Sequence, residues 1–298
     1  MKLLLTGAFS YSETQLKRLR SKGHDLIWMQ QESDILPAGA SEAEGIVCNG
    51  LFLHHDPDEF PELKIVQLTS AGLDRVPVDK LRRRGIILLN ARGVYARPMA
   101  EWALCNVMMH LQRRILLFDS QKKHLWCKQR DVREIAGKKI GIVGAGNIGT
   151  EVARLFSAVG ASVIGFDINT VPRDPFERIY PSSELADIVG ECEALIITAP
   201  LMPSTVGLVG REVINSMSDG SILVNISRGP LVDEAALIDA LRRRRDFAAA
   251  LDVFETEPLS PESPLWELGN AILTPHNSFV GDGNSDRLFK LIEEAFVN

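Results

Sequence analysis

The stretch that decides the fold is Lys139-Ile140-Gly141-Ile142-Val143-Gly144-Ala145-Gly146-Asn147-Ile148-Gly149, followed by Val152, Leu155 and Phe156. A short apolar run that breaks on glycines and reopens with helical spacing reads as strand, turn and amphipathic helix. In that setting Gly144 makes the tight turn, Gly146 admits a pyrophosphate, and Gly149 lets helix and sheet approach closely. Asn147 and Ile148 open the helix, whose amides then face the phosphates. Asp167 closes the next apolar run, 162–166, where its carboxylate is placed to accept hydrogen bonds from adenosine ribose hydroxyls, favouring NAD over NADP. Two alternatives stay open there: a strand-end Asp also caps turns, and Arg173 is near enough in sequence to meet a 2′-phosphate.

Outward from this unit, short apolar runs alternate with helical patterns in both directions, the signature of parallel sheets covered by helices. Later strands are expected near 194–198, 222–226 and 248–253, and an earlier series at 2–5, 24–29, 44–48, 64–68 and 86–89. Ser12 and Gln15 form a capping box for a helix reaching about Lys22. Between the two series, 97–126 contains almost no helix breakers and has Pro98 in its first turn, so it is expected to be one long interdomain helix. Its apolar residues, Trp102, Met108, Met109, Leu111, Leu116, Leu117 and Phe118, are too many for one side to bury, so a homodimer is expected. A last helix over 285–296 follows the second series and is expected to cross back to the first domain. The domain division is therefore 1–96 plus 277–298, and 97–276.

Composition narrows the function. The 298 residues are 45% hydrophobic and 24% charged, as in an ordinary globular protein, and are enough for two domains with real cores. A net charge of -6 argues against a nucleic-acid partner, which needs a basic surface. The basic clusters Arg82 to Arg84 and Arg242 to Arg245 each close a predicted helix, where cations complement the dipole. No run approaches the roughly 20 apolar residues that span a bilayer, and the opening MKLLLTG lacks a long signal core, so a cytoplasmic location is expected. Cys48, Cys105, Cys127 and Cys192 show neither metal-ligand nor redox spacing; they are expected to be reduced and structural, and no metal is called for.

Three polar residues follow strand ends in the second series: Arg228 after ILVNIS, Glu257 after LDVFET, and His276 after AILTP. In an open parallel sheet that edge is where ligands bind. Arg offers a permanent planar cation to a carboxylate or carbonyl, His exchanges a proton near neutrality, and Glu orients an imidazole and favours its charged form. Hydride transfer to a ketone needs those functions. Each residue also has a plainer reading: Arg228 pairing with Asp233 or Glu234, Glu257 in a polar loop before Pro258, and His276 as a turn residue after Pro275. His24, His54, His55, His110 and His124 lack such a setting and read as surface or packing residues.

With GIVGAGNIG at 141–149, APLMPSTVGLVG at 199–210, VNISRGPLVDEAAL at 224–237, ALDVFETEP at 250–258 and TPH at 274–276, nearly the whole chain resembles the D-isomer-specific 2-hydroxyacid dehydrogenase family. The resemblance implies an α/β fold of two doubly wound parallel-sheet domains, a Rossmann NAD-binding domain and a smaller flavodoxin-like substrate domain, with a cleft that closes in turnover. It implies an NAD-dependent oxidoreductase passing a hydride between nicotinamide and a small 2-oxo or 2-hydroxy acid. Arg228 would bind and polarise the substrate, His276 would be the acid in reduction and the base in oxidation, and Glu257 would support it. Ala199, Pro200, Thr205 and Asp252 join the cofactor set, and Ser70, Ala71 and Gly72 give backbone N–H groups to the substrate carboxylate. Trp126 resembles a tryptophan that in some relatives reaches the neighbouring subunit's site, with core or interface packing as the alternative. Met202, Asn277 and Ser278 depart from the family's usual residues, and the tail after His276 is shorter than in many relatives, from which no regulatory domain is expected. Two other functions fit the same fold: an NAD(H)-sensing binding protein of the corepressor type, and a formate- or phosphite-type dehydrogenase.

Overall fold

Aliphatic runs too short for helices become the strands of two parallel sheets. The computed structural model describes residues 1–297 and divides into two compact units, Met1–Tyr95 with Gly281–Asn298, and Ala96–Val280.

In the first unit β1 (Lys2–Thr6), α1 (Glu13–Ser21), β2 (Asp25–Met29), β3 (Gly45–Cys48), β4 (Ile65–Leu68), α2 (Val78–Arg83) and β5 (Ile87–Leu89) follow one another. The strand order is β2-β1-β3-β4-β5, with every pair parallel. The capping box of Ser12 and Gln15 opens α1. Alternation along β1 sends Leu4 to a core with Ile46, Phe60, Val66 and Leu81. Leu3 and Leu5 face the other way, against Leu288, Phe289, Ile292 and Phe296 of the C-terminal helix.

The second unit opens with α3 (Ala96–Leu111) and α4 (Arg114–Lys122), then β6 (Lys139–Val143), α5 (Asn147–Ala158), β7 (Ser162–Asp167), β8 (Arg178–Pro181), α6 (Leu185–Ile188), β9 (Ala194–Ile197), α7 (Arg211–Ser216), β10 (Ile222–Asn225), α8 (Glu234–Arg243), β11 (Ala248–Leu251) and β12 (Ala271–Leu273); α9 (Asn284–Ala295) completes the first unit. Its seven strands lie in the order β12-β11-β10-β9-β6-β7-β8, all parallel. The central strands β9, β10 and β11 are buried throughout, as a sheet covered on both faces requires.

The single helix expected over 97–126 is instead two. Arg133 N–H bonds the Leu111 carbonyl at 2.9 Å, so the returning chain takes an acceptor that would have continued the helix, and the Gln112 side chain pins it there by donating from Nε2 to the Arg133 carbonyl at 2.9 Å. Arg113 turns left-handed at φ 52 and its guanidinium reaches Asp131 at 2.8 Å. No local glycine or proline announces this break; its cause lies about twenty residues downstream. β8 is a second departure, a short edge strand whose Arg-Ile-Tyr-Pro carries no clear period. Cys48 and Cys192 are buried packing residues, and burial pushes the Cys192 thiol up to about 12. Cys105 and Cys127 are exposed, so the structural role expected of all four cysteines holds for two.

Candidate active site

β6 is flanked by β9 on one side and β7 on the other, so chain order reverses between β6 and β9. Helices leave the two sides of this point in opposite directions, which opens a crevice outside the carboxyl ends of the strands. The glycine turn lies there. Gly144 has φ +92, and a Cβ on it would stand 2.6 Å from the Ala199 backbone nitrogen. A Cβ on Gly149 would stand 2.0 Å from the Gly144 carbonyl oxygen, whereas one on Gly146 would meet nothing within 4 Å. The floor is thus closed and the roof open. Gly146 caps α5 without a side-chain hydrogen bond, so the positive end of a helix of 12 residues looks onto that open side. Gly146 and Asn147 are exposed and Ile148 is half-buried. This cradle fits the pyrophosphate of a dinucleotide.

Asp167 ends β7 beside the turn, its Oδ2 accepting from Ala145 N–H at 2.6 Å and its Oδ1 from Asn169 N–H at 2.9 Å. Arg173 Nη1 donates to the Ala145 carbonyl at 2.7 Å, so an anion and a cation grip opposite sides of one residue in the turn. Ala199 is buried against Gly144, and Pro200 is exposed. Thr205 is buried, and its hydroxyl donates to the Pro200 carbonyl at 2.7 Å and accepts from Met202 N–H at 2.8 Å, closing the loop that leaves β9.

Farther along the same sheet edge, His276 and Glu257 meet: Nδ1 of the imidazole lies 2.8 Å from Oε2. The other carboxylate oxygen accepts from Phe254 N–H at 3.1 Å, which fixes the Glu257 side chain to its own loop. With Nδ1 committed, Nε2 is the nitrogen left for a substrate. The side chains are 39% and 35% exposed, enough for a solute to reach them. Beside them lies a cavity of about 530 Å³ whose wall includes Phe254, Leu259, Trp266 and Leu273, an apolar backing for the pair.

Arg228 follows β10 in a loop braced by Asn225, whose Nδ2 donates to the Arg228 carbonyl and whose Oδ1 accepts from Ser227 N–H, both at 3.0 Å. Gly229 is there because the loops after β10 and β11 touch: a Cβ on it would fall 1.9 Å from the Phe254 carbonyl carbon. This contact sets the arginine's loop against the loop that carries Glu257. Nearby, Asp233 caps α8 and Glu234 accepts from Glu255 N–H at 3.2 Å. Asn225 and Gly229 were not singled out from sequence; the signal available was a glycine next to a candidate arginine. Asp252 is fully buried, its carboxylate turned toward residues around His276.

Ser70, Ala71 and Gly72 belong to the first unit, in the loop after β4. Their carbonyls accept from Ala91 N–H at 2.9 Å, Asn90 Nδ2 at 2.7 Å and Ser70 Oγ at 3.1 Å. In a trans peptide the N–H opposes the C=O, so the N–H groups of Ala71, Gly72 and Leu73 point away from those partners.

Residues 105–278 match the family model described as D-isomer specific 2-hydroxyacid dehydrogenase, NAD binding domain. The chain is 38% identical to the D-3-phosphoglycerate dehydrogenase of Mycobacterium leprae over 218 residues, 72% of this chain and 41% of that one. It is 35% identical to a glyoxylate/hydroxypyruvate reductase A of Arabidopsis thaliana over 228 residues, 76% of this chain and 70% of the relative. Among solved structures, a D-isomer specific 2-hydroxyacid dehydrogenase family protein from Aeromonas salmonicida superposes with a TM-score of 0.84 at 27% identity, covering 99% of this chain and 94% of that one. The chain spans about two fifths of the length of the phosphoglycerate dehydrogenases it matches. With a Rossmann sheet, a glycine cradle and a family model covering more than half its residues, the chain belongs to the D-isomer specific 2-hydroxyacid dehydrogenase family, and its second unit carries that family's NAD-binding domain.

Proposed function

We propose that this protein is an NAD-dependent oxidoreductase that interconverts small 2-oxo acids and D-2-hydroxy acids, with Arg228, Glu257 and His276 as its catalytic residues. The observation that carries the reading is the His276–Glu257 pair, 2.8 Å apart and open to solute, on the same sheet edge as the glycine cradle. The cofactor would be held by Gly144, Gly146, Asn147, Ile148 and Gly149 at the pyrophosphate, by Asp167 at the ribose, and by the Ala199, Pro200 and Thr205 loop. When bound, the dihydronicotinamide supplies a hydride to the carbonyl carbon.

The chain's own residues handle the charge that this transfer creates. As the carbon gains the hydride, the carbonyl oxygen becomes an incipient alkoxide. His276 gives it the proton from Nε2, so that hydride and proton together convert C=O to CH–OH. Glu257 holds the other ring nitrogen and so fixes the imidazole's orientation for the transfer. Arg228 polarises the carbonyl but keeps its protons, because a guanidinium does not deprotonate in proteins. The loop of Ser70, Ala71 and Gly72 would give backbone N–H groups to the substrate carboxylate. Oxidation runs the same path backwards, with neutral His276 as base.

The partner is a small acid, not a nucleic acid. Among the described residues no helix is long and apolar enough to cross a membrane, and we place the protein in the cytoplasm. A second copy of the chain would cover α4 and the segment after it, where Leu116, Phe118, Leu125 and Trp126 are exposed. The test of the activity is NADH consumption with glyoxylate, hydroxypyruvate, phosphohydroxypyruvate, pyruvate and branched 2-oxo acids, with chiral analysis of the product. A D-2-hydroxy acid formed in step with NADH loss supports the reading, and an L-product or no consumption with any of them rejects it.

A further inference from the structure

His276 is the only non-glycine residue in the 257–280 stretch with a left-handed backbone, at φ 51. Such a conformation is uncommon outside glycine, although histidine tolerates it better than most residues, and it persists where surrounding bonds over-determine it. The bonds that do so converge on Asp252, the residue just past β11. Its backbone carbonyl accepts from His276 N–H at 2.8 Å. Its carboxylate accepts from both flanks of the histidine: Oδ1 from the Thr274 hydroxyl at 2.5 Å and from Asn277 N–H at 2.7 Å, and Oδ2 from Ser278 N–H at 2.9 Å.

Asp252 has 0% of its surface exposed. A carboxylate withdrawn from water is costly unless it is well bonded, and charge-assisted bonds are shorter and stiffer than neutral ones. An asparagine would keep one acceptor but set an N–H against an N–H of the turn. An apolar residue would leave Asn277 and Ser278 amides without their acceptor. The chain therefore keeps a buried two-oxygen acceptor at the point from which the turn on either side of His276 is gripped.

We infer that Asp252, with Thr274, is a positioning residue that locks the His276 turn in its left-handed form and so aims the imidazole between Glu257 and the substrate carbonyl. The inference rests on the reading of His276 as the acid. Asp252 would act on the reaction through the turn, which its carboxylate grips at Thr274, Asn277 and Ser278.

The test compares Thr274→Val, Thr274→Ser and Asp252→Asn with the parent, reading kcat for reduction of the best 2-oxo acid and NADH affinity by fluorescence titration. Thr274→Val has the same shape but no hydroxyl, so it spares the fold if Asp252→Asn does not fold. The expected result is a fall in kcat of roughly ten- to a hundredfold for Thr274→Val, the scale of a slightly misplaced catalytic group. NADH affinity should stay within about twofold while Thr274→Ser, which restores the hydroxyl, recovers most of the rate. Parent kcat in Thr274→Val, equal losses in Val and Ser, or a kcat loss matched by an equal loss of NADH affinity would overturn the inference. His276→Ala measured alongside separates the two ideas: if it keeps the parent rate the reading of His276 fails, whereas if it loses activity and Thr274→Val does not, only the positioning role fails.

Discussion

Asp167 is shown in one role and proposed for a second. It braces the glycine turn through Ala145 N–H at 2.6 Å and stands where ribose hydroxyls would arrive. Replacing it by alanine removes both acceptors at once, whereas Asp167→Asn keeps one oxygen for Ala145 N–H, gives up the acceptor for Asn169 N–H and removes the charge, so it is the milder variant. Its NADH affinity should fall by about tenfold while NADPH, whose 2′-phosphate the charge repels, falls less or rises. Titration of both cofactors by fluorescence checks this, and equal changes would mean that Asp167 serves the turn alone. Arg173, at 2.7 Å from the Ala145 carbonyl, remains in the variant as the cation available to a 2′-phosphate. The positions of Arg228, Glu257 and His276 after strand ends were readable from the sequence. What the sequence did not show was the left-handed backbone of His276 or the grip of Asp252, because both depend on contacts between segments more than twenty residues apart.

At the scale of elements, the strand–glycine–helix unit makes two substitutions of the same kind behave oppositely. Gly149→Ala places a methyl 2.0 Å from the Gly144 carbonyl oxygen, so β6 and α5 must separate. The expected cost is about 1–3 kcal/mol of stability in urea unfolding. Gly146→Ala meets nothing within 4 Å and has φ -75, which alanine accepts, so the unfolding midpoint should hold or rise slightly. NADH affinity should nevertheless drop, since the methyl stands where the pyrophosphate approaches. A Gly146→Ala protein that binds NADH normally would remove the phosphate from that turn.

A second element-level prediction concerns α3. His110 Nε2 meets the Gly220 carbonyl at 2.6 Å, tying the helix to the turn before β10. Burial, more than any neighbour, holds its imidazole below the ordinary 6.5. The unfolded chain therefore takes up a proton near pH 6.5 that the folded chain still refuses, and stability present above that pH is lost as pH falls toward the depressed value. His110→Gln keeps a donor for Gly220 and should flatten the decline in stability between about pH 7 and 5. An unchanged slope would show that His110 does not titrate across folding; His24, also lowered by burial, shares the direction and is the natural second variant. The capping box at Ser12 and the central strands of both sheets were legible because their causes are local, whereas the short edge strand β8 was not. The break between α3 and α4 was not, because Arg133 and Asp131 impose it from beyond the helix.

For the whole molecule, the order of elements carried the two parallel sheets, while composition alone excluded little. The apolar excess of 97–126 is real, but it is distributed over two helices, and its most exposed member, Trp126 at 95%, lies beyond both. Light scattering on a size-exclusion column should give twice the mass of one chain, with Trp126→Ser and Phe118→Ser together shifting the protein toward monomer. A concentration-independent monomer in the parent would contradict the dimer. The central claim is that His276 delivers the proton while the cofactor delivers the hydride, and the rate of NADH oxidation by the best 2-oxo acid, parent against His276→Ala, tests it most directly. The account predicts a loss on the order of 10²- to 10⁴-fold with NADH affinity within a few fold. A folded His276→Ala protein that turns over at the parent rate would contradict it.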